Sequence, residues 1–380
     1  MSVDRFSFPT TIHFGAGARK LAPGHLQSKG IRRPLVVTDR ALAALPITVA
    51  FRGDLEAAGL RAGLFGGVWG NPVSSQVAAG VAAFRAHGAD AVIGFGGGAA
   101  LDVAKAVALM AVHAGEILNY AWDHPNSRPI EAGLPYWIAL PTTSGTGSEV
   151  GRSAVIADDR THIKKIVFSP VLLAQAVFAD PELTVGLPPA VTAATGMDAL
   201  THNVESYLSP VYHPLCDGIA LEGARIAARS LAAAVRDGTD LAARSDMMMS
   251  SLMGAVAFQK DLGAVHACAH ALSTVADLHH GLANAVMIDH VLRFNADCAG
   301  PKLAELARVC AAGSTAEDFI AWLGRLKREI GIPADLGAAG VSPSQVERLV
   351  EVAFADSCHR TNPKPCAPAD FERIFRHAFA

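Results

Sequence analysis

Through the first half of the chain, short apolar runs stop at a glycine cluster or an acid and give way to helical segments. This alternation limits the fold more than any other feature of the sequence. "PLVVTD" (34–39) reads as a buried strand ending in an acid, and "DLEAAGLRAGLF" as a helix running into a second strand. "VSSQVAAGVAAFRAHGA" reads as an amphipathic helix closed by Gly88. "DAVIGFGGG" is a strand entering a glycine turn, "ALDVAKAVALMAVHAG" a helix, and "YWIALPTTSGTGSE" another strand entering a turn. Strand followed by helix, repeated, predicts a doubly wound, mostly parallel sheet. From about residue 186 the texture changes to long Ala- and Leu-rich segments of helical period, among them "PPAVTAATGMDALTHNVESYL", "CDGIALEGARIAARSLAAAVRDG" and "PKLAELARVCAAG". The expectation is an α/β domain over 1–185 followed by an all-α domain over 186–380. The boundary rests on this change and on the prolines of "DPELTVGLPPA".

The size and composition suit that division. A chain of 380 residues, 51% hydrophobic and 18% charged, can bury two cores and is not a disordered chain. A net charge of -3, with no Lys/Arg patch interleaved with aromatics, disfavours nucleic-acid binding. The six cysteines form no CxxC pair, which suits reduced thiols in a cytosol. "MSVDRFSFPTTIHFG" has no basic stretch leading into an apolar one, and no run reaches the roughly 18 apolar residues of a membrane helix. A soluble cytoplasmic protein without membrane partners is expected.

Two turns carry candidate ligand chemistry. In "VIGFGGGAALDVAKA", Gly96, Gly97 and Gly98 sit where a strand hands over to a helix, so backbone amides can approach an anion at the positive helix end. Asp39, closing the first strand, can accept hydrogen bonds from a ribose diol and repel a 2′-phosphate. A ligand-free tight turn, with Asp39 as a helix cap for "RALAAL", is the competing account. "PTTSGTGSE" (141–149) adds five hydroxyls and two glycines after another strand. Two such turns at the carboxyl ends of neighbouring strands lie where doubly wound sheets bind ligands, which makes this a candidate dinucleotide-binding domain.

The second half carries the histidines. "GAVHACAHALSTVADLHHGLANAV" (263–286) holds His266 and His270 four apart, on one helix face, and then His279 and His280 ahead of Gly281. Upstream, "GMDALTHNVESYL" sets Asp198 and His202 four apart. An aspartate with three histidines suits a divalent ion such as Fe²⁺ or Zn²⁺, with a position left for a substrate oxygen. Each pair alone is ambiguous. A histidine on an apolar stripe is more often a hydrogen-bonded core residue, and an Asp/His pair more often a surface helix pair.

Taken together, "GGGAALDVAKA", "PTTSGTGSEV", "GMDALTHNVESYL", the histidine run and a final "DSCHRTNPKPCAPADFERIF" resemble, in order, the iron-containing (group III) alcohol dehydrogenase family, over almost the whole chain. The resemblance implies metal ligands at Asp198, His202, His266 and His280, a proton-transferring His270 near the substrate, and His279 as a bystander. It implies a nicotinamide cofactor held by Gly96, Gly97 and Gly98 at the pyrophosphate, Asp39 at the adenosine ribose, and Thr142, Thr143 and Thr146 around the phosphate and nicotinamide ribose. Asn71, Asp102 and Lys164 join the cofactor-side positions, with Lys165 a rival to Lys164. Ala99 stands where the family more usually has serine, and Ala271 and Ser273 replace a proline and a glycine after His270.

The expected activity is metal-dependent, NAD(H)-linked, reversible hydride transfer between a small primary alcohol or hydroxy acid and nicotinamide, with aldehyde reduction as the reverse. The cofactor is NAD rather than NADP, because Asp39 would meet a 2′-phosphate with like charge. The metal is Fe²⁺, with Zn²⁺ as the alternative, and the assembly a homodimer or higher homo-oligomer. Arg152 either reads a substrate carboxylate or is structural. A maleylacetate-reductase-like enzyme, a polyol dehydrogenase and a non-catalytic NAD-binding sensor are the competing functions.

Overall fold

The computed structural model describes residue 8 and residues 10–379. Residues 1–7, 9 and 380 lie outside it, and with them most of the N-terminal stretch read for a targeting signal. The chain divides into two compact units. One runs up to Thr143 and resumes at Ser148–Thr184; the other joins Ser144–Gly147 to the chain from Val185 on. Four residues in the middle of the "PTTSGTGSE" turn thus belong with the helices and not with the sheet.

The first unit holds all the described strands: β1 (Thr11–Phe14), β2 (Pro34–Asp39), β3 (Gly63–Val68), β4 (Ala91–Gly96), β5 (Tyr136–Pro141), β6 (Ser153–Ala157), β7 (Lys164–Phe168) and β8 (Ala176–Ala179). Six of them pair in parallel in the order β1-β8-β5-β4-β2-β3, while β6 and β7 form a separate antiparallel hairpin. Helices α1 (Ala22–Ser28), α2 (Arg40–Ala43), α3 (Pro46–Ala57), α4 (Ser74–His87) and α5 (Gly98–Val112) alternate with the strands. β4 is buried along its whole length, because "AVIGFG" has no polar side chain to turn outward and needs cover on both faces. One side is filled by Phe51, Leu55, Ile93, Phe95, Ile138, Leu140 and Phe178, with Phe51 stacked on Phe95 at 5.1 Å. Gly88, at φ 62°, closes α4 in the left-handed conformation expected of it.

Among its described residues the second unit holds helices and loops and no strand: α6 (Pro189–Leu208), α7 (Pro214–Arg236), α8 (Leu241–Ala257), α9 (Ala264–Ala276), α10 (His280–Val309), α11 (Ala316–Glu329), α12 (Val346–Ala355) and α13 (Pro368–His377). α6 packs against α7, α8 and α10, and α9 against α10 and α12. Where the sequence suggests a new helix at Pro301, α10 runs straight through it. Pro301 and Asp297, whose carbonyl loses its partner, are both exposed, so water replaces the missing bond. Among the described residues no helix is long and apolar enough to cross a membrane.

Candidate functional site

In the helical unit, α6 brings Asp198 and His202 to one face, a single turn apart, and both are buried. α9 supplies His266, and its ring stacks on that of His202 with centroids 4.6 Å apart. Asp198, His202 and His266 each offer a ligand atom, all within 4.8 Å of one another. His280 arrives on the first turn of α10, with Nε2 3.5 Å from Asp198 Oδ1. Gly281 makes that approach possible: a Cβ there would lie 2.4 Å from the Ala194 carbonyl oxygen and 3.2 Å from Asp198 Cβ, so only glycine lets α10 start this close to α6. His279, the helix N-cap, is exposed.

The donor chemistry fits a cation. Asp198 Oδ1, His266 Nε2 and His280 Nε2 all converge on Asn284 Nδ2, at 2.7, 3.3 and 3.3 Å. An amide nitrogen carries two protons, one fewer than the acceptors around it, and Asn284 Oδ1 is buried with no hydrogen-bond partner. A divalent ion satisfies such a set of acceptors where one amide cannot. Burial pushes the His202 imidazole down to about 4, against the pull of Asp198 and with the help of His266, which keeps it neutral as ligation requires.

His270, one turn beyond His266, does not join this convergence. Its Nδ1 donates to Asp356 Oδ2 at 2.8 Å, and its ring stacks on that of His280 at 5.2 Å. Burial pushes the Asp356 carboxyl up, but the neighbouring His270 and hydrogen bonds from His270 and Cys358 bring it well below the usual carboxylate range. His266 has a similar partner, since its Nδ1 donates to Glu205 Oε2 at 2.6 Å. Glu205, Asn284 and Asp356 escaped the sequence reading. Glu205 had a signal, as it extends the Asp198–His202 stripe to i+7, and Asn284 lies one turn past His280. Asp356 had none, because only the tertiary fold brings it to α9.

In the α/β unit, Asp39, Gly96 and Pro141 end the adjacent strands β2, β4 and β5, and Val68 ends β3 beside β2. Asn71 follows β3 at the same carboxyl edge. Thr142 N donates to the Gly96 carbonyl at 3.0 Å, and the Gly97 Cβ position lies 3.2 Å from Thr143 Cγ2. Asp39 Oδ1 accepts from Leu42 N at 2.9 Å as the cap of α2, while Oδ2 lies 3.7 Å from the Gly96 Cβ position. The carboxylate is therefore both the cap and a neighbour of the glycine turn. Gly97 is the N-cap of α5 without a side-chain cap, which leaves the turn lined by backbone. Thr146 belongs to the segment that groups with the helical unit.

The structure gives partners to Asp102 and separates Lys164 from its rival Lys165. Asp102 accepts from Ser148 Oγ at 2.6 Å and from Val155 N at 3.0 Å, so it ties α5 to the β6 hairpin and has both oxygens engaged. Lys165 pairs with Asp123 at 2.7 Å, whereas Lys164 projects from the opposite strand face. Lys164 is in register with Ala157, whose N–H donates to the Pro72 carbonyl beside Asn71.

Comparison with known proteins agrees with this architecture over the whole chain. The family model for iron-containing alcohol dehydrogenase matches residues 9–181, and that for the C-terminal part of the Fe-containing alcohol dehydrogenase family matches residues 192–379. The chain is 39% identical to a 4-hydroxybutyrate dehydrogenase of Cupriavidus necator, covering 97% of this chain and 98% of the relative. It is 36% identical to a 1,3-propanediol dehydrogenase of Klebsiella pneumoniae, covering all of both. The crystal structure of a 1,3-propanediol oxidoreductase superposes with a TM-score of 0.94 at 35% identity, over the full length of both chains. The chain belongs to the iron-containing alcohol dehydrogenase family of oxidoreductases.

Proposed function

We propose that the chain is a metal-dependent, NAD(H)-linked alcohol dehydrogenase and aldehyde reductase, moving hydride reversibly between a small primary alcohol or hydroxy acid and nicotinamide. The observation that carries this reading is the convergence of Asp198, His266 and His280 on Asn284, with His202 stacked against His266. A divalent ion held there by Asp198, His202, His266 and His280, Fe²⁺ with Zn²⁺ as the alternative, supplies Lewis acidity toward an alcohol or carbonyl oxygen. The α/β unit acts as the dinucleotide-binding domain and the helical unit as the metal- and substrate-binding domain.

The rest falls to the chain's own groups. Amides of Gly96, Gly97 and Gly98 at the start of α5 bind the pyrophosphate. Asp39 accepts from the ribose diol and repels a 2′-phosphate, favouring NAD over NADP. Thr142, Thr143 and Thr146 bond the phosphate and nicotinamide ribose, with Asn71 and Lys164 on the same side. His270, held as the Nδ1–H tautomer by Asp356, keeps Nε2 open to carry the substrate's proton toward water. The Cupriavidus relative's name favours the hydroxy-acid branch, for which Arg152, half-buried over the Phe168 ring at 5.9 Å, either reads the carboxylate or is structural.

The test is NADH and NADPH oxidation by metal-stripped protein, with Fe²⁺, Zn²⁺ or nothing added back, against aldehydes and semialdehyde acids. Turnover restored by metal, with NADH preferred, is expected. Asp198→Ala should lose bound metal and turnover yet still quench or shift NADH fluorescence on binding. Full activity in metal-free protein overturns the reading.

A further inference from the structure

The helix that carries His266 and His270 is not capped by its own sequence. Gly263, at the N-cap of α9, has no side chain to offer the first backbone N–H groups. Those groups are met from elsewhere: Ala264 N donates to Asn362 Oδ1 at 3.2 Å, Val265 N to Glu205 Oε1 at 2.7 Å, and His266 N to Glu205 Oε2 at 3.3 Å. Glu205 comes from α6, two turns after Asp198, and is buried with its acceptor oxygens spent on α9. A Cβ on Gly263 would lie 2.6 Å from Glu205 Oε1, so the glycine leaves room for the carboxylate.

The same carboxylate takes the His266 Nδ1–H at 2.6 Å. A neutral imidazole has one N–H, so a proton fixed at Nδ1 leaves Nε2 as a bare lone pair. Nε2 is the atom aimed at Asn284 Nδ2, among the acceptors of Asp198 and His280. One buried side chain thereby sets the position of the helix start, the tautomer of the histidine and the direction of its lone pair. We propose that Glu205 is the positioning residue of the metal centre, selecting the Nδ1–H tautomer of His266 while capping the helix that carries it. The assignment rests on the metal reading above and on no titration, since it concerns where the proton sits.

Glu205→Gln is nearly isosteric and separates the two roles. Its amide oxygen can still accept from Val265 N, but its NH₂ faces the His266 Nδ1–H, donor against donor. The imidazole relieves the clash by moving its proton to Nε2, which removes the lone pair the ion needs. Outer partners of metal-bound histidines typically change metal affinity 10–100-fold, and that loss is expected here. The experiment is titration of metal-stripped wild type and Glu205→Gln with Co²⁺ and Zn²⁺ by calorimetry, with the circular dichroism of the stripped proteins as the check on folding. A folded variant binding 10–100-fold more weakly supports the assignment. A folded variant with affinity within twofold of wild type overturns it and leaves Glu205 a helix cap only, even if its unfolding midpoint has dropped. Wild type that takes up no stoichiometric ion overturns the metal reading itself. Should Glu205→Gln not fold, long-range ¹H–¹⁵N correlation of the wild-type stripped protein decides: a proton on His266 Nδ1 supports the assignment, and one on Nε2 sinks it.

Discussion

Burial outweighs partners in setting the ionisation of Glu149. It is fully buried in the 3₁₀ turn Ser148–Val150, and desolvation pushes its carboxyl from the ordinary 4.5 up to about 7, opposed by a backbone hydrogen bond and the charge of Lys105. Lys105 is itself buried, donating to Ser148 Oγ at 2.8 Å and to the Ser153 carbonyl at 2.7 Å, and burial lowers its ammonium. The sign follows from linkage. Below pH 4.5 Glu149 is protonated folded and unfolded, and its share of stability is fully present. That share is lost as the pH rises toward 7, because the unfolded chain ionises freely and the folded one does not. The loss reaches on the order of 3 kcal/mol. Glu149→Gln should therefore unfold at higher denaturant than wild type at pH 8 and at about the same concentration at pH 4.5. Urea midpoints at the two pH values check this, and equal wild-type-to-variant differences at both would remove the argument.

At the level of elements, the candidate centre depends on how closely α10 starts against α6. Gly281→Ala would put a methyl 2.4 Å from the Ala194 carbonyl oxygen, and neither backbone can yield without carrying Asp198 or His280 with it. The variant should lose about 1–3 kcal/mol of stability. It should also retain less metal than wild type after dialysis, read by atomic absorption alongside a thermal melt. Loss of stability with full metal content would show that α10 can slide without moving His280. This closeness also marks where the sequence stops being legible. The stripe Asp198–His202 and the i,i+4 pair His266–His270 follow from helix period, and so do the strand-to-turn junctions at Asp39 and Gly96, because their partners are local. What period cannot show is which of two histidines on one face turns to Asn284 and which to Asp356. That choice comes from α12 and α6 packing on α9, contacts separated by 60 residues or more in sequence. Likewise Asp102 is a cofactor-side position by the resemblance alone, and only the β6 hairpin folding back on α5 shows where its oxygens go.

Across the whole molecule, the proposed cofactor and metal residues fall mostly in different compact units, with Ser144–Gly147 the stretch of the sheet-side turn that groups with the helices. Gly145 illustrates it: its Cβ position lies 3.3 Å from Asp198 Oδ2, and its carbonyl accepts from Ser251 Oγ at 3.1 Å. Ligands that bind only the folded state stabilise by mass action, about 2.7 kcal/mol at a concentration one hundred times the dissociation constant. For a unit of this size that corresponds to a midpoint shift of about 5–10 °C. Removing the metal should lower the melting of the helical unit by that order, and NADH should protect chiefly the α/β unit. Hydrogen exchange resolved by peptide separates the two. Zn²⁺ added to stripped protein should slow exchange in α6, α9 and the first turns of α10. NADH should slow it at the end of β4, the start of α5 and the segment after β5. Metal that protects the strand ends instead, or leaves α9 exchanging as before, would contradict the division of labour, because His266 and His280 can hold an ion only if the backbones bearing them become harder to open.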